Sequence, residues 1–365
     1  MIKTLFDDFS PHDYTIAWLV TAFVLAFYIA YKTFPTILYV VRSKNLMDEP
    51  DRRSMHSKRT PTFGGVGIFI SLVVVMTIVG AYLNTKILFL TMGGLTILFF
   101  LGLKDDLTVL APSRKFLGQF VTALLLIFFT DTRIVSFSDI LDINELPYWF
   151  SIVFTLFVYT LIINAYNLID GIDGLAGTIV IVASIVFVYL FIEANELSLA
   201  TIAVALAGAT LAFLRFNFSK SKKIFMGDTG SMIIGYLLAF FTISFIHKAQ
   251  TEVLMKYHYG SPALALAILF YPLIDTFRIF FIRIFILKTS PFKADRNHIH
   301  HKFIVIGYSH LLTTIIISGI NFVIVCIAFN MLHLSLNTQI GLLLVYGPVL
   351  YSIPFIFKKL IKVKR

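Results

Sequence analysis

Two aspartates and two asparagines recur at every third position of the stretch Asn164-Ala165-Tyr166-Asn167-Leu168-Ile169-Asp170-Gly171-Ile172-Asp173-Gly174-Leu175-Ala176-Gly177. All four side chains are hard oxygen donors. A spacing of three puts neighbours in the series Asn164, Asn167, Asp170 and Asp173 on one helix face. Gly171, Gly174 and Gly177 let the chain turn and let a ligand approach the backbone closely. The uncharged runs 148–163 and 178–192 bracket the stretch. Carboxylates at the edge of so apolar a block are costly unless paired, ligated or wet, so they mark a functional site. The plainer alternative is a polar turn between two helices, with Asp170 as the N-cap of the second.

Four further stretches carry the same kind of residue. Lys58-Arg59-Thr60-Pro61-Thr62-Phe63-Gly64-Gly65, with Gly67, is a basic turn entering a glycine-rich helix start. Exposed N–H groups beside cations suit a phosphate, although glycines that pack membrane helices together account for the same pattern. Gly102-Leu103-Lys104-Asp105-Asp106 closes an apolar run. Its adjacent carboxylates suit a divalent cation or a phosphate-handling site, against the alternative of a solvated loop start. In Lys222-Lys223-Ile224-Phe225-Met226-Gly227-Asp228-Thr229-Gly230-Ser231, an aspartate between glycines opens a helix. Asp228 is either its N-cap or an acid at a helix N-terminus where a diphosphate sits. Asp295-Arg296-Asn297-His298-Ile299-His300-His301-Lys302-Phe303 offers three histidines with Arg and Lys, a metal or phosphate site or else a His-rich surface loop. Asp and Asn ligands with Lys, Arg and glycine turns imply Mg²⁺ and phosphate chemistry rather than zinc or iron.

The elements that must position these residues are membrane helices. Of 365 residues, 58% are hydrophobic and 14% charged, and the mean hydropathy is +0.88. That is more apolar surface than one globular core buries. Apolar runs able to cross about 30 Å of hydrocarbon fall at 14–34, 64–83, 87–103, 116–130, 148–163, 175–192, 199–214, 231–246, 262–286, 311–332 and 339–357. The reading is an all-α polytopic membrane protein of about eleven transmembrane helices, one integral-membrane domain over residues 1–365. The ninth run contains Asp275, Arg278 and Arg283, so it is expected to span to about Ile274 and then bend. The single Cys326 excludes an internal disulfide and a cysteine zinc site. No internal repeat or low-complexity tract is visible.

The net charge of +10 is one of orientation, not nucleic-acid binding. Arg42, Lys44, Arg52, Arg53, Lys58 and Arg59 follow the first run, whereas only Lys3 precedes it. With that loop in the cytoplasm, alternation puts nearly all Lys and Arg on the cytoplasmic side, which fixes the topology. The N-terminus is then external, and the basic tail ending Lys364-Arg365 is cytoplasmic, where anionic membrane lipid attracts it. The N-terminus lacks a signal peptide's basic start and cleavage site. The five polar stretches all fall on the cytoplasmic face.

Taken in order, the GxxDD of 102–106, the NAYNLIDGIDGLAG of 164–177, the FMGDTGS of 225–231 and the DRNHIHH of 295–301 resemble the polyprenyl-phosphate N-acetylhexosamine-1-phosphate transferases. The resemblance runs over essentially the whole chain. It implies transfer of a sugar-1-phosphate from a UDP-sugar to undecaprenyl phosphate, releasing UMP, at the start of a bacterial surface glycan. Lys302 stands where the branch transferring MurNAc-pentapeptide carries a third consecutive histidine. Asp295-Arg296 is instead similar to the branch using UDP-GlcNAc for O-antigen lipopolysaccharide, enterobacterial antigen or teichoic-acid linkage. Pentapeptide transfer and other HexNAc donors are the alternatives. A transporter is the more distant one, which would place its ionisable groups nearer mid-membrane.

By resemblance, Asp228 binds Mg²⁺ (with Mn²⁺ as a substitute), and Asp105, Asp106 and Asp170 are further ligand candidates. Asp105 is the candidate base or nucleophile. Phe225 is expected against the uracil ring, with Asp173 and Asn217 near its polar edge. Arg296, His298, His300 and His301 are expected at the diphosphate or sugar phosphate, and Lys58 or Arg59 at a phosphate. A homodimer is compatible with such a protein, and no nucleic acid is expected.

Overall fold

A computed structural model describes residues 10–44, 46, 60–140, 143–251, 254–290 and 297–363. The chain is an all-α polytopic membrane protein. Its helices are α1 (Thr15–Ser43), α2 (Gly64–Val79), α3 (Thr85–Leu107), α4 (Pro112–Thr130), α5 (Tyr148–Leu168), α6 (Leu175–Glu193), α7 (Leu197–Asn217) and α8 (Gly227–Gln250). They continue with α9 (Ser261–Ile268), α10 (Phe270–Phe281), α11 (Ile299–Val305), α12 (His310–Asn330) and α13 (Leu336–Val363). Among the described residues nine helices are long and apolar enough to cross a membrane, to which α9 with α10 adds a bent pair and α2 a shorter apolar helix. These account for the eleven apolar runs.

In α1 both faces are apolar, and over its middle turns small residues mark the buried one. Ala22, Ala26 and Ala30 recur every fourth residue and are buried, whereas Ile16, Val20 and Val24 are exposed. Without a hydrophobic drive between helices in lipid, small residues set the contact by letting backbones approach. The same rule gathers the bundle around α8, which is buried over its whole apolar length and touches α2, α3, α5, α6, α7 and α9. At its N-terminus the approach is backbone to backbone. A Cβ on Gly65 of α2 would lie 2.1 Å from Gly230 N, and one on Gly102 of α3 would lie 2.5 Å from Thr229 Cα. A short antiparallel pair, β1 (Ser136–Ile140) with β2 (Ile143–Glu145), is pinned at the other end of α8. There Gln250 Oε1 accepts from the amides of Val135 and Ser136.

The ninth run is broken, as its charges imply, but earlier than Ile274. Its two parts meet at 82° around Leu269. Pro272 has no N–H to give to Ile268 O, four residues back. Asn321 of α12, itself buried, fills the gap: its Nδ2 donates to Ile268 O at 3.0 Å and its Oδ1 accepts from Tyr271 N at 2.9 Å. A helix break inside a membrane bundle persists only if its freed backbone groups are paired again. Asn321→Leu leaves both unpaired, at about 1–3 kcal/mol each. Thermal unfolding of the detergent-solubilised variant should therefore begin well below the wild type. An unchanged unfolding temperature would show that another group satisfies the break.

Candidate active site

Five separated stretches meet at the N-terminal end of α8. Asp105 and Asp106 end α3. Asp105 Oδ1 accepts from Leu110 N at 2.6 Å and so fixes the turn into α4. Lys115, in the first turn of α4, brings its ammonium to Asp105 Oδ2 at 2.6 Å and to Asp228 Oδ2 as well. Asn167, in the last turn of α5, donates to Asp228 Oδ1 at 3.0 Å and to Ser231 Oγ at 2.7 Å. Asp228 is thereby gripped by two neighbouring helices, α4 and α5.

Asp228 does not cap its own helix. Asp106 caps it from α3: Oδ1 accepts from Asp228 N at 2.8 Å, and Oδ2 from Thr229 N and Thr229 Oγ1 at 3.0 and 2.6 Å. This satisfies N–H groups that the first turn of a helix leaves free. Gly227 precedes the turn at φ +72°, where a Cβ would stand 2.0 Å from Thr62 O, so no other residue fits.

The expectation that Asn164, Asn167, Asp170 and Asp173 continue along one helix face is corrected. α5 stops at Leu168; the asparagines lie on it and the aspartates lie in the turn beyond. Gly174, at φ +80°, ends that turn, and its N–H is held by Asn217 Oδ1 at 2.7 Å. Asn217 also donates to Ile224 O at 2.9 Å. It borders the cavity, but its amide is used to join two turns. Asn164 lies a turn deeper, donating to Gln119 Oε1 and Thr160 O at 2.8 Å each, and it does not line the cavity.

The glycine-rich start of α2 is corrected too. The amides of Gly64 and Gly65 donate to Phe225 O and Met226 O at 2.8 and 2.9 Å, so they are not open to a phosphate. Packing accounts for those glycines. Lys58, Arg59, Asp295 and Arg296 lie outside the described residues.

The cavity between these elements holds about 450 Å³. Four carboxylates, those of Asp105, Asp106, Asp170 and Asp228, line it. Phe225, Asp173, Lys223 and His310 form a second group in the same lining. Lys223 Nζ lies 2.7 Å from Asp173 Oδ2 and 5.1 Å from the centroid of the Phe225 ring. His310 Nδ1 is 3.2 Å from the same carboxylate oxygen. Burial alone would raise the pKa of Asp173, but the hydrogen bonds and charges of His310 and Lys223 hold it below the ordinary value. Asp170 is the opposite case. Loss of solvation, reinforced by the charges of Asp228, Asp106 and Asp173, pushes its pKa well above the ordinary value. Its carboxylate has no hydrogen-bond partner among the described residues.

Of the histidines, only His301 of the expected set lines the cavity. His298 and His300, expected at the diphosphate or sugar phosphate, are 5% and 0% exposed and stand behind its wall. Burial lowers the His300 pKa to about 3, so the ring is neutral. Lys302 is exposed and forms no part of the lining. Lys115 and His310 are site residues that the sequence reading missed, and Lys223 stood in the fourth stretch without a role of its own.

No group of three or more His, Cys, Asp or Glu placed to enclose a metal occurs among the described residues. The donor chemistry nonetheless fits a hard divalent cation. Carboxylate oxygens of Asp228 and the unpartnered Asp170 border one space, where negative charge exceeds the cations that neutralise it.

Residues 88–246 match the model of glycosyl transferase family 4. A probable undecaprenyl-phosphate N-acetylglucosaminyl 1-phosphate transferase of Bacillus subtilis (strain 168) is 30% identical over 314 residues, covering 84% of this chain and 82% of that protein. The undecaprenyl-phosphate alpha-N-acetylglucosaminyl 1-phosphate transferase of Escherichia coli (strain K12) is 30% identical over 274 residues, 74% of this chain and 72% of its own. The decaprenyl-phosphate N-acetylglucosaminephosphotransferase of Mycobacterium tuberculosis (strain ATCC 25618 / H37Rv) is 30% identical over 303 residues, 73% and 71% of the two chains.

Proposed function

The chain belongs to glycosyl transferase family 4, and from that premise we propose that it transfers GlcNAc-1-phosphate from UDP-GlcNAc to undecaprenyl phosphate, releasing UMP. The observation that carries this reading is that one cavity is lined both by the aromatic ring of Phe225 and by Asp105 and Asp228, with the ammonium of Lys115 set between those two carboxylates. A nucleoside diphosphate sugar offers the matching pair, a flat base and a charged diphosphate. The ring of Phe225 is the surface on which uracil stacks, and Asp173 lies beside it to meet the polar edge. The diphosphate then extends towards Lys115 and His301.

An oxygen of the lipid phosphate attacks the sugar-proximal phosphorus in line. The bond from that phosphorus to the bridging oxygen breaks, and UMP leaves with the bridging oxygen and its electron pair. A phosphate monoester has a second pKa of about 6, so the nucleophile is already largely dianionic and needs no strong base. The chain's work is positioning and charge neutralisation. Lys115 supplies fixed positive charge, and Asn167 with Lys115 orients Asp228. Mg²⁺, held by Asp228 and Asp170, would neutralise further phosphate charge. By the charge bias of its loops, the cavity opens to the cytoplasm, where the nucleotide sugar is. The product would begin a bacterial surface glycan.

The test uses purified protein with undecaprenyl phosphate, Mg²⁺ and each of UDP-GlcNAc, UDP-GalNAc and UDP-MurNAc-pentapeptide. UMP release is expected with UDP-GlcNAc only, and it should fall by about 10³-fold in Asp228→Asn. Release with the pentapeptide donor alone, or lipid-dependent release from none, would overturn the proposal.

A further inference from the structure

Behind the cavity wall, one face of α10 holds the histidine-bearing segment in three places. Tyr271, Asp275 and Arg278 are spaced by four and three residues, so they share that face. Arg278 Nη1 donates to Asn297 O at 2.7 Å. Asp275 Oδ2 accepts from His298 Nδ1 at 2.6 Å, and its Oδ1 from Ile299 N at 2.8 Å. Tyr271 Oη is 3.0 Å from His300 Nδ1. Asp275, Tyr271 and His300 are each 0% exposed.

None of the three α10 residues lines the cavity, nor do the residues they hold, but the segment so held reaches it one residue further on. His301 follows His300 directly and does line it. The remaining nitrogen of His300, Nε2, has no hydrogen-bond partner among the described residues and presses on the turn that carries Asp170 and Asp173. A Cβ on Gly171 would come within 2.6 Å of it. The face begins at the helix break, where Asn321 fixes Tyr271 N, so its register is set from both sides. A buried carboxylate adds little net stability over a well-packed apolar side chain. At this place it does what an apolar side chain cannot: it selects the Nδ1–H form of His298 and anchors the first amide of α11.

We propose that Asp275, with Tyr271 and Arg278 beside it, is a positioning residue that sets His301 in the cavity and seats His300 behind the Asp170–Asp173 turn. The kinetic part of this proposal rests on the transferase reading; the structural part does not. Asp275→Asn keeps the volume but turns an N–H donor towards one of the two groups that the carboxylate accepts from. Displacing a contributing group by about 1 Å costs about 10²-fold in rate. Asp275→Asn should therefore lower kcat by about 10²-fold and leave KM for UDP-GlcNAc little changed.

A second readout needs no turnover. Diethyl pyrocarbonate labelling mapped by mass spectrometry should spare His298 and His300 in the wild type and modify both in Asp275→Asn. His298→Gln added to Asp275→Asn should cost nothing further, because the two act as one unit. Tyr271→Phe, which removes only a hydroxyl, is the check should Asp275→Asn not fold. It should admit label at His300 and slow turnover by roughly five- to tenfold. An unchanged labelling pattern in both variants would overturn the proposal, as would wild-type kcat in a variant whose histidines have become reactive. If the wild type releases no UMP, only the transferase reading fails, and the labelling still decides whether α10 holds the histidines.

Discussion

Replacing Lys115 by methionine is expected to lower lipid-dependent UMP release by about 10³-fold. The ammonium stands between Asp105, at 2.6 Å, and Asp228, and Asp106 and Asp170 line the same cavity as those two carboxylates. Without it, these carboxylates face one another, and two anionic substrates must enter the same space. Unit charges at 4 Å interact by about 4 kcal/mol at an effective dielectric of 20, and that is about three decades of rate. Methionine is one atom shorter but keeps most of the side chain's bulk, and it removes the charge together with its N–H donors. Lys115→Arg should fall between the two, because a planar fork does not reproduce a compact ammonium held between two carboxylate oxygens. Raised Mg²⁺ should restore part of the methionine variant's rate if missing charge is the cause. Activity within tenfold of the wild type would remove Lys115 from the mechanism.

Lys115 also shows what the sequence made legible. The helices were visible because membrane spans announce themselves by composition over some twenty residues, and the apolar runs correspond to the spans and the broken pair. The aspartates were visible because a carboxylate abutting an apolar run is conspicuous. Lys115 is neither. It sits in Pro112-Ser113-Arg114-Lys115, an ordinary basic helix start, and its partner Asp228 is 113 residues away. His310 was missed, and Lys223 left without a role, for the same reason: their common partner, Asp173, lies in another part of the chain.

The corrections share a physical cause as well. A spacing of three indicates a common face only while the helix continues, and α5 ends before Asp170. The glycines at 64 and 65 read as open amides because nothing local shows that Phe225 and Met226 supply the acceptors. The bend in the ninth run was sought where charge begins, at Asp275. It occurs instead where Pro272 removes a donor and Asn321, 49 residues from Pro272, makes good the loss. In each case the residue type was readable and its partner was not.

Asp106→Asn and Asp228→Asn should separate two aspartates that look alike in sequence. Asp106 spends both oxygens on the first turn of α8, accepting from Asp228 N, Thr229 N and Thr229 Oγ1. Asparagine offers one acceptor and turns an NH₂ towards the remaining donors. Loss of the cap and an unsatisfied N–H together cost about 2–4 kcal/mol. The frayed turn also carries Asp228, so Asp106→Asn should lose thermal stability and activity together. In Asp228→Asn the hydrogen bonds of Asp106 to the helix remain. The loss of an acid from the first turn, about 0.3–1 kcal/mol, and of the partly exposed ion pair to Lys115, about 0–1 kcal/mol, is offset by less repulsion from Asp105 and Asp170. That variant should unfold near the wild-type temperature while its turnover collapses. Thermal unfolding and UMP release measured on the same two preparations decide the matter. A fully stable, inactive Asp106→Asn would place Asp106 among the groups that touch substrate. An unstable Asp228→Asn would mean that Asp228 acts chiefly by holding α5 and α4 to α8.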